Sequence, residues 1–275
     1  MNLKPHTQIS GHLEKCCLLL SANESYERAE QNIEVLTGMR ISHSTQQRLV
    51  HRHEFPLFVV REPIEELSID GGKVRLRTPE GESCIWNDYK AVTLDGQATA
   101  AYFKENSALV NEVNRQPKAE VFSCLGDGHD GIWNLFSQIG TQKQRDEILD
   151  WFHLSENLHK VGGSLKRLKR VEAFLWQGKV DEAVREFNEC KNTRAHNFVA
   201  YVQKHRQRIP NYEYLHTEGC SIGSGAVESA VKQIGRRVKL SGAQWDSDNV
   251  PQVLKHRCAY LNGYFTIPLQ HQHTA

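Results

Sequence analysis

The sequence feature that most constrains the fold is an apolar run that ends in a glycine-rich turn and continues into a helix-like pattern. The run is Val121–Leu125, the turn is Gly126–Gly128, and the apolar residues that follow recur at helical spacing. This order predicts a strand, a tight turn and a helix, with Asp127 at the carboxyl end of the strand. Open α/β sheets bind ligands at such ends, so Asp127 is a candidate functional residue. The alternative is a turn aspartate that caps the next helix.

Composition excludes several classes of protein. The 275-residue chain is 39% hydrophobic and 24% charged, which is ordinary for a globular protein. No apolar run is long enough to cross a bilayer, and the N-terminus lacks the apolar core of a signal peptide. Seven scattered cysteines without a CxxC pair favour reduced thiols over a disulfide framework or a zinc knuckle. We therefore expect a cytoplasmic protein.

The net charge of +1 hides an asymmetry between the two halves of the chain. Residues 151–275 hold 18 Lys and Arg against 11 Asp and Glu, whereas residues 1–150 hold 16 against 22. A basic half indicates an anionic partner such as nucleic acid. Proteins that bind nothing charged show the same asymmetry, so both interpretations stay open.

The N-terminal region predicts two short helices. Glu24–Leu36 has apolar residues at helical spacing and stops at Gly38, and Ser42 is placed to cap a second helix over Ser44–Arg52. Two helices with a glycine turn and a polar second helix resemble a helix-turn-helix, which would make Arg48 a DNA contact. Any αα-hairpin gives a similar pattern.

The next region predicts strands. Glu66–Asp70 and Lys73–Arg77 read as two strands, and the Asp-Gly-Gly between them is typical of a tight hairpin. The other predicted elements before residue 154 are a strand over Tyr89–Leu94, a helix over Ala108–Arg115 and a short strand over Arg145–His153. The predicted order is therefore a three-stranded meander, a helix and a strand-helix-strand unit, which is the order of elements in an RNase H-like sheet. Strands one and four are neighbours there, which would bring Asp70 close to Asp127.

The second half predicts helices. Apolar residues recur at helical spacing from Leu154 to about Gln207, in a segment rich in Lys and Arg that presents either a solvated face or a surface for phosphates. Ser224 then follows a glycine-rich stretch and is placed to cap a helix that carries Glu228 and Lys232 on one face. A simple Glu–Lys pair four residues apart is the alternative to a functional Glu228.

Four motifs together resemble those of a DDE transposase of a bacterial insertion sequence. They are Ser68–Gly72 (SIDGG), Gly126–Asn134 (GDGHDGIWN), Asp150–His153 (DWFH) and Ile222–Ser229 (IGSGAVES), in that order over most of the chain. The resemblance implies an α/β fold, with an RNase H-like mixed sheet interrupted by an α-helical insertion and preceded by a small helical segment. The implied divisions are 1–60 (helical, DNA-binding), 61–153 (core, first part), 154–215 (insertion) and 216–275 (core, final part).

The resemblance also implies the site. Asp70, Asp127 and Glu228 would be the catalytic carboxylates, and such hard oxygen ligands suit Mg²⁺, with Mn²⁺ as substitute. Asp150 and His153 would be supporting residues outside the triad; the alternative for His153 is a half-buried histidine at a strand end. Asp130 and Asp150 are rivals for the second catalytic position. Cations after Glu228 would neutralise DNA phosphates, namely Lys232, Arg236, Arg237 and Lys239.

The implied function is metal-dependent DNA cleavage and strand transfer at the ends of the element that encodes the protein. The implied partner is double-stranded DNA, as terminal inverted repeats and as target, bound by a dimer or higher oligomer at the nucleoid of a bacterium. The segment before Asp70 is short for the family. The first alternative is therefore a truncated, inactive copy that only binds DNA or multimerises. The second is an RNase H-like nuclease of repair or recombination.

Overall fold

One mixed β-sheet organises the chain, and its central strand carries Asp70. The computed structural model describes residues 9–265. Over this range the chain is a mixed α/β protein with a five-stranded sheet in the order β3-β2-β1-β4-β5. The strands are β1 (Ile64–Leu76), β2 (Ile85–Leu94), β3 (Ala98–Phe103), β4 (Lys118–Gly126) and β5 (Arg145–Leu149). The β1–β2 and β2–β3 pairs are antiparallel, and β1–β4 and β4–β5 are parallel. The predicted adjacency of β1 and the strand before Asp127 is confirmed.

The predicted hairpin at Asp70-Gly-Gly is wrong. Strand β1 runs without interruption through this sequence, and Gly71 and Gly72 pair with Lys90 and Tyr89 of β2. The buried Tyr89 ring lies over Gly72, where any Cβ would collide with it. Glycine is needed there for close approach of a neighbouring ring, and not for a turn. The chain reverses instead between Leu76 and Ile85.

The structure contains a third strand that the sequence did not predict. Strand β3 follows a three-residue turn, Asp95–Gln97, in which Asp95 and Gly96 have φ angles of 50° and 63°. Such positive angles are typical of the tight turn that joins two antiparallel strands. The alanine-rich sequence of β3 (ATAAYF) has only one β-branched residue, Thr99, and alanine is depleted in strands. The predicted third strand, Tyr89–Leu94, is the second half of β2.

Three N-terminal helices form a small bundle, α1 (Gly11–Ser21), α2 (Tyr26–Thr37) and α3 (His43–Arg52). Both predicted helices are confirmed: Gly38 ends α2 at a φ of 69°, and the Ser42 hydroxyl accepts a hydrogen bond from the Thr45 N–H at 3.3 Å. The inward-facing apolar residues include Leu13, Ile33 and Leu49.

Helices cover both faces of the sheet. On one face lie α4 (Asn106–Arg115), α5 (Asp130–Phe136) and the helices that follow β5, and their buried residues share one apolar core with the sheet. On the other face lie α11 (Gly225–Val238) and α12 (Val250–Leu261), packed on a second core that includes Val74, Tyr89 and Phe103. The predicted helices over 108–115 and after Asp127 are confirmed.

The segment between β5 and α11 is helical, as predicted. It contains α6 (Trp151–His159), α7 (Leu165–Trp176), α8 (Val180–Arg185), α9 (Thr193–Lys204) and α10 (Tyr212–Thr217), with a 3₁₀ turn at Arg206–Arg208. The predicted strand over 145–153 is wrong in its second half, because β5 ends at Leu149 and Asp150 caps α6. No helix among residues 9–265 is long and apolar enough to cross a membrane.

Candidate functional site

Strands β1 and β4 bring Asp70 and Asp127 to the same edge of the sheet. Leu67 lies opposite Cys124 and Ser68 opposite Leu125 in this parallel pair. Two residues further on, the same register leads to Asp70 and Asp127. Side chains two residues apart on a strand point to the same face, and adjacent strands lie about 4.8 Å apart. The two carboxylates therefore lie side by side at the point where β4 ends.

The carboxyl of Asp70 is half-buried and close to like charges. Burial raises its pKa; the Gly71 N–H, which donates to Oδ1 at 2.6 Å, lowers it; and the charges of Asp127 and Glu228 raise it further. The net result is a raised pKa. Since a like charge acts only over a short range in this way, Asp127 and Glu228 lie close enough to Asp70 for their charges to act on it.

The turn that carries Asp127 is held from two sides. Its Oδ1 accepts a hydrogen bond from the His129 N–H at 2.8 Å, and its carbonyl oxygen accepts one from the Tyr201 hydroxyl at 3.3 Å. Gly128 has a φ of 95°, and a Cβ there would meet the Tyr201 ring. The cap of the next helix is His129, whose Nδ1 accepts from the Gly131 N–H, so Asp127 is not the cap.

The rival Asp130 lies away from this group. It is exposed in the first turn of α5 and forms an ion pair with Lys204 at 2.5 Å. That partner holds its pKa below the ordinary value. Asp130 therefore has a local structural role, and Asp127 is the carboxylate placed beside Asp70.

Asp150 joins the start of α6 to the start of α11. Its fully buried carboxylate accepts hydrogen bonds at Oδ2 from the Ser224 N–H (2.5 Å) and hydroxyl (2.6 Å), and at Oδ1 from the His153 N–H (2.9 Å). Burial raises the pKa of Asp150, but these hydrogen bonds outweigh burial and bring it to about 2. The Trp151 N–H also donates to the Ile222 carbonyl at 2.9 Å. Ser224, predicted to cap α11 with its side chain, binds Asp150 instead.

His153 lies between Asp150 and Glu228. Its Nδ1 is 3.4 Å from Asp150 Oδ1 and 3.8 Å from Glu228 Oε1. The contact with Asp150 is the main cause that raises the pKa of His153 to about 9; burial opposes it, and the charges of Asp150, Glu228 and Asp127 add to it. Because this Nδ1 has no well-aligned hydrogen bond, the contacts are ionic. His153 lies in the first turn of a helix, and the alternative of a strand-end histidine is wrong.

Among residues 9–265, one group of side chains has the geometry to hold a metal ion. Ligand atoms of Asp150, His153 and Glu228 all lie within 4.8 Å of one another. However, both oxygens of Asp150 already accept hydrogen bonds, and a histidine with a pKa of about 9 is cationic at neutral pH. Asp70 and Asp127 each use only Oδ1 for a backbone hydrogen bond, which leaves their second oxygen for a ligand. Asp70, Asp127 and Glu228 therefore offer more free carboxylate oxygens, but their ligand atoms do not all lie within 4.8 Å of one another as those of the first group do.

The cations predicted to contact DNA do not share one surface. Lys232, Arg236 and Lys239 are exposed on α11, and Arg48 is exposed on α3. Arg237 is 1% exposed, and its Nε donates to the Ser21 carbonyl at 2.6 Å between the Tyr26 and Trp245 rings. The prediction for Arg237 is wrong. Arg237 follows Glu228 by nine residues, which places it about 180° away around the helix, on the buried side.

The sequence did not indicate Tyr201, which fixes the Asp127 turn from a helix far along the chain. Nor did it indicate that the Ser224 hydroxyl would bind Asp150. One edge of the sheet thus collects Asp70, Asp127 and Glu228, together with the buried Asp150, which holds the start of α11, and His153, which lies between Asp150 and Glu228. No protein-family model matches the chain, and no curated protein matches it at a significant level of similarity.

Proposed function

We propose that this protein is a DDE transposase with an RNase H-like core, which cleaves DNA at the ends of its own insertion sequence and joins them to a target. The observation that carries the proposal is that the parallel strands β1 and β4 bring Asp70 and Asp127 to one edge of the sheet, with Glu228 close enough for its charge to act on Asp70. Carboxylates gathered at the carboxyl end of a strand repel one another, and bound cations would remove that repulsion. In-line phosphoryl transfer by two divalent cations uses such a site.

The donor set fits Mg²⁺, with Mn²⁺ as substitute. Carboxylate oxygens are the ligands these hard cations prefer, and the free oxygens of Asp70 and Asp127 would hold them together with Glu228. When bound, the cations would supply the positive charge that activates the attacking oxygen and stabilises the leaving oxygen. Like-charge repulsion at Asp70 would also be relieved.

The other residues of the site would position these carboxylates. Asp150 and Ser224 fix the start of α11, one turn before Glu228, and cationic His153 lies beside Glu228. Tyr201 holds the Asp127 turn. Lys232, Arg236 and Lys239 follow Glu228 at intervals that keep them near its side of α11, where they would bind phosphates near the cut. No covalent nucleophile on the protein is required.

The partner that this proposal requires is double-stranded DNA. Terminal inverted repeats and target DNA would be bound by a dimer or higher oligomer, at the nucleoid in the cytoplasm of a bacterium. Arg48, exposed on the second helix of the α2–α3 pair, would contact DNA as in a helix-turn-helix.

The decisive experiment compares carboxylate variants. Purified protein is incubated with Mg²⁺ and with DNA that carries the sequences flanking its gene, and strand cleavage is measured on gels. Asp70→Asn, Asp127→Asn and Glu228→Gln should each lower cleavage roughly 10³-fold, because metal stabilisation of the transition state is worth several kcal/mol. Asp130→Asn, three residues from Asp127 and exposed, is the matched control and should retain activity within a few-fold.

Cleavage that survives these substitutions, or that persists in EDTA, would refute the proposal. Metal-independent binding of the flanking DNA without any cleavage by the wild-type protein would also refute it, and would favour the inactive copy instead. Cleavage of structured DNA without any need for terminal repeats would favour the repair nuclease.

A further inference from the structure

A groove with a mixed polar and apolar lining lies between α6 and α9, with a volume of about 760 Å³. Its polar lining includes Asn157, Lys160, Arg194, Asn197 and Tyr201. Tyr201 connects the groove to the carboxylates, because its hydroxyl donates to the carbonyl oxygen of Asp127 at 3.3 Å. One wall of the groove therefore touches the turn that carries Asp127.

Helix α6 contributes one wall as a stripe of side chains. His153, Asn157 and Lys160 follow one another at intervals of four and three residues, which places them on one side of a helix. At 1.5 Å of rise per residue, Lys160 lies about 10 Å from His153 along the helix axis. Asn157 and Lys160 line the groove, and His153 lies beside Glu228 on the same side of α6.

Helix α9 contributes a second stripe of the same design. Tyr201, Asn197 and Arg194 follow one another at intervals of four and three residues back along the chain. This stripe also starts at the carboxylate site, passes an amide and ends in a cation about 10 Å away. The two walls therefore present one asparagine and one cation each, in the same order outward from the site.

The two cations are available to an anionic ligand. Arg194 is exposed in the first turn of α9. Lys160 pairs with Glu156 at 3.3 Å, but both side chains are more than 60% exposed. An exposed pair of this kind contributes little to stability, so a phosphate can replace Glu156 as the partner of Lys160.

We propose that this groove binds one single strand of DNA as it leaves the cleaved phosphodiester. Lys160 and Arg194 would pair with its phosphates, and Asn157 and Asn197 would form hydrogen bonds with its sugars or bases. Proteins commonly bind single-stranded DNA in positively charged grooves that follow the sugar-phosphate backbone. The inference rests on the proposed transposase function.

The test measures DNA binding in EDTA, where no cleavage takes place. The probes are a fluorescent duplex with a single-stranded dT tail of about eight nucleotides and the same duplex with blunt ends. Lys160→Ala/Arg194→Ala should weaken binding of the tailed probe at least about tenfold and lower its salt slope by about 1.4, or about 0.7 for each phosphate that is no longer neutralised. Binding of the blunt probe should change far less.

The matched control is Lys179→Ala/Arg185→Ala. It removes one lysine and one arginine that are exposed in the same helical segment, at α8, and that do not line the groove. This variant should bind both probes like the wild type. Equal weakening in the two double variants, or equal weakening for the tailed and blunt probes, would overturn the inference.

Cleavage assays separate this inference from the proposed function. If the tail binds through Lys160 and Arg194 but the wild type cleaves nothing with Mg²⁺, the groove stands and the transposase proposal fails. If the wild type cleaves DNA and the groove variant binds and cleaves equally well, the proposed function stands and the groove inference fails.

Discussion

His256 is the buried side chain whose protonation the fold tolerates least. It is fully buried on α12, its Nε2–H donates to the Leu18 carbonyl at 2.8 Å, and its ring stacks on Phe55 at 4.8 Å. Its Nδ1 is buried without a hydrogen-bond partner. Burial lowers the pKa of His256 from 6.5 to about 3. The folded state therefore requires the neutral imidazole.

Acid should unfold the protein through His256. A lowered folded-state pKa stabilises the fold above the unfolded-state pKa, and the stability is lost as the pH falls below it. We expect the free energy of unfolding to decrease by about 1.4 kcal/mol per pH unit for this histidine below pH 6.5. Urea titrations between pH 6.5 and 4.5 measure how the free energy of unfolding depends on pH. In His256→Gln this slope should be smaller by about 1.4 kcal/mol per pH unit, because one proton fewer is taken up on unfolding. An unchanged slope in the variant would contradict the assignment.

The sequence predicted individual residues well where one local pattern decides their position. Asp127 follows a strand directly, and helical periodicity places Glu228 opposite the buried stripe of α11. The same periodicity, applied nine residues further, would have excluded Arg237 from the DNA-facing set. No local pattern could indicate Tyr201, because its hydrogen bond to Asp127 joins residues 74 positions apart.

At the scale of elements, β1 shows how one motif has two interpretations. Asp-Gly-Gly is typical of a turn, yet here the strand continues and Gly72 makes room for the Tyr89 ring. Local propensity favours the turn, whereas packing across the β1–β2 pair favours the strand. The choice depends on a side chain on another strand, and local patterns do not reveal that register.

The two glycines of β1 should respond differently to the same substitution. Gly72→Ala places a methyl group against the buried Tyr89 ring and should lower the free energy of unfolding by about 1–3 kcal/mol, as overpacking does. Gly71→Ala meets only the flexible Lys90 Nζ at 3.2 Å and should cost less than about 1 kcal/mol. Urea unfolding of both variants measures the difference. Equal effects would contradict the continuous strand.

At the scale of the whole molecule, the N-terminal helices pack against α11 and α12, the helices that cover one face of the sheet. Arg257 of α12 donates to the Ala22 carbonyl (3.0 Å), to Asn23 Oδ1 (2.6 Å) and to the Gln233 carbonyl (2.9 and 3.0 Å). With Arg237 and His256, it occupies carbonyl oxygens at the end of α1. Cationic side chains at a helix C-terminus also stabilise its dipole.

Loss of the Arg257 side chain should release this bundle. Arg257→Ala leaves the buried oxygens around it without their donor, so we expect the free energy of unfolding to fall by at least about 3 kcal/mol. Amide exchange in α1 should become faster than in β1. Arg257→Lys keeps the charge but loses the forked geometry, and should give an intermediate effect. Native-like exchange in α1 of Arg257→Ala would contradict this account.

These long-range contacts also explain why the sequence predicted the N-terminal helices but not their docking. Caps and glycine stops lie within a few residues of the helices they delimit, as Ser42 and Gly38 show. The partners of Arg257 lie 24 to 235 positions away along the chain. Local sequence patterns predict the N-terminal helices, but their contacts with α12 follow only from the packing of the whole chain.

The Asp150–Ser224 contact has a consequence for how such a chain can change in length. Together with the hydrogen bond from Trp151 to Ile222, it fastens the two ends of the helical segment to each other. The segment is therefore a closed loop, and the entropy of closing a loop grows slowly: each doubling of length costs only about 0.6 kcal/mol. The length of chain between those fastened ends can therefore change at little entropic cost while α6 and α11, and with them His153 and Glu228, stay in place, provided that α9 still presents Tyr201 to the Asp127 turn.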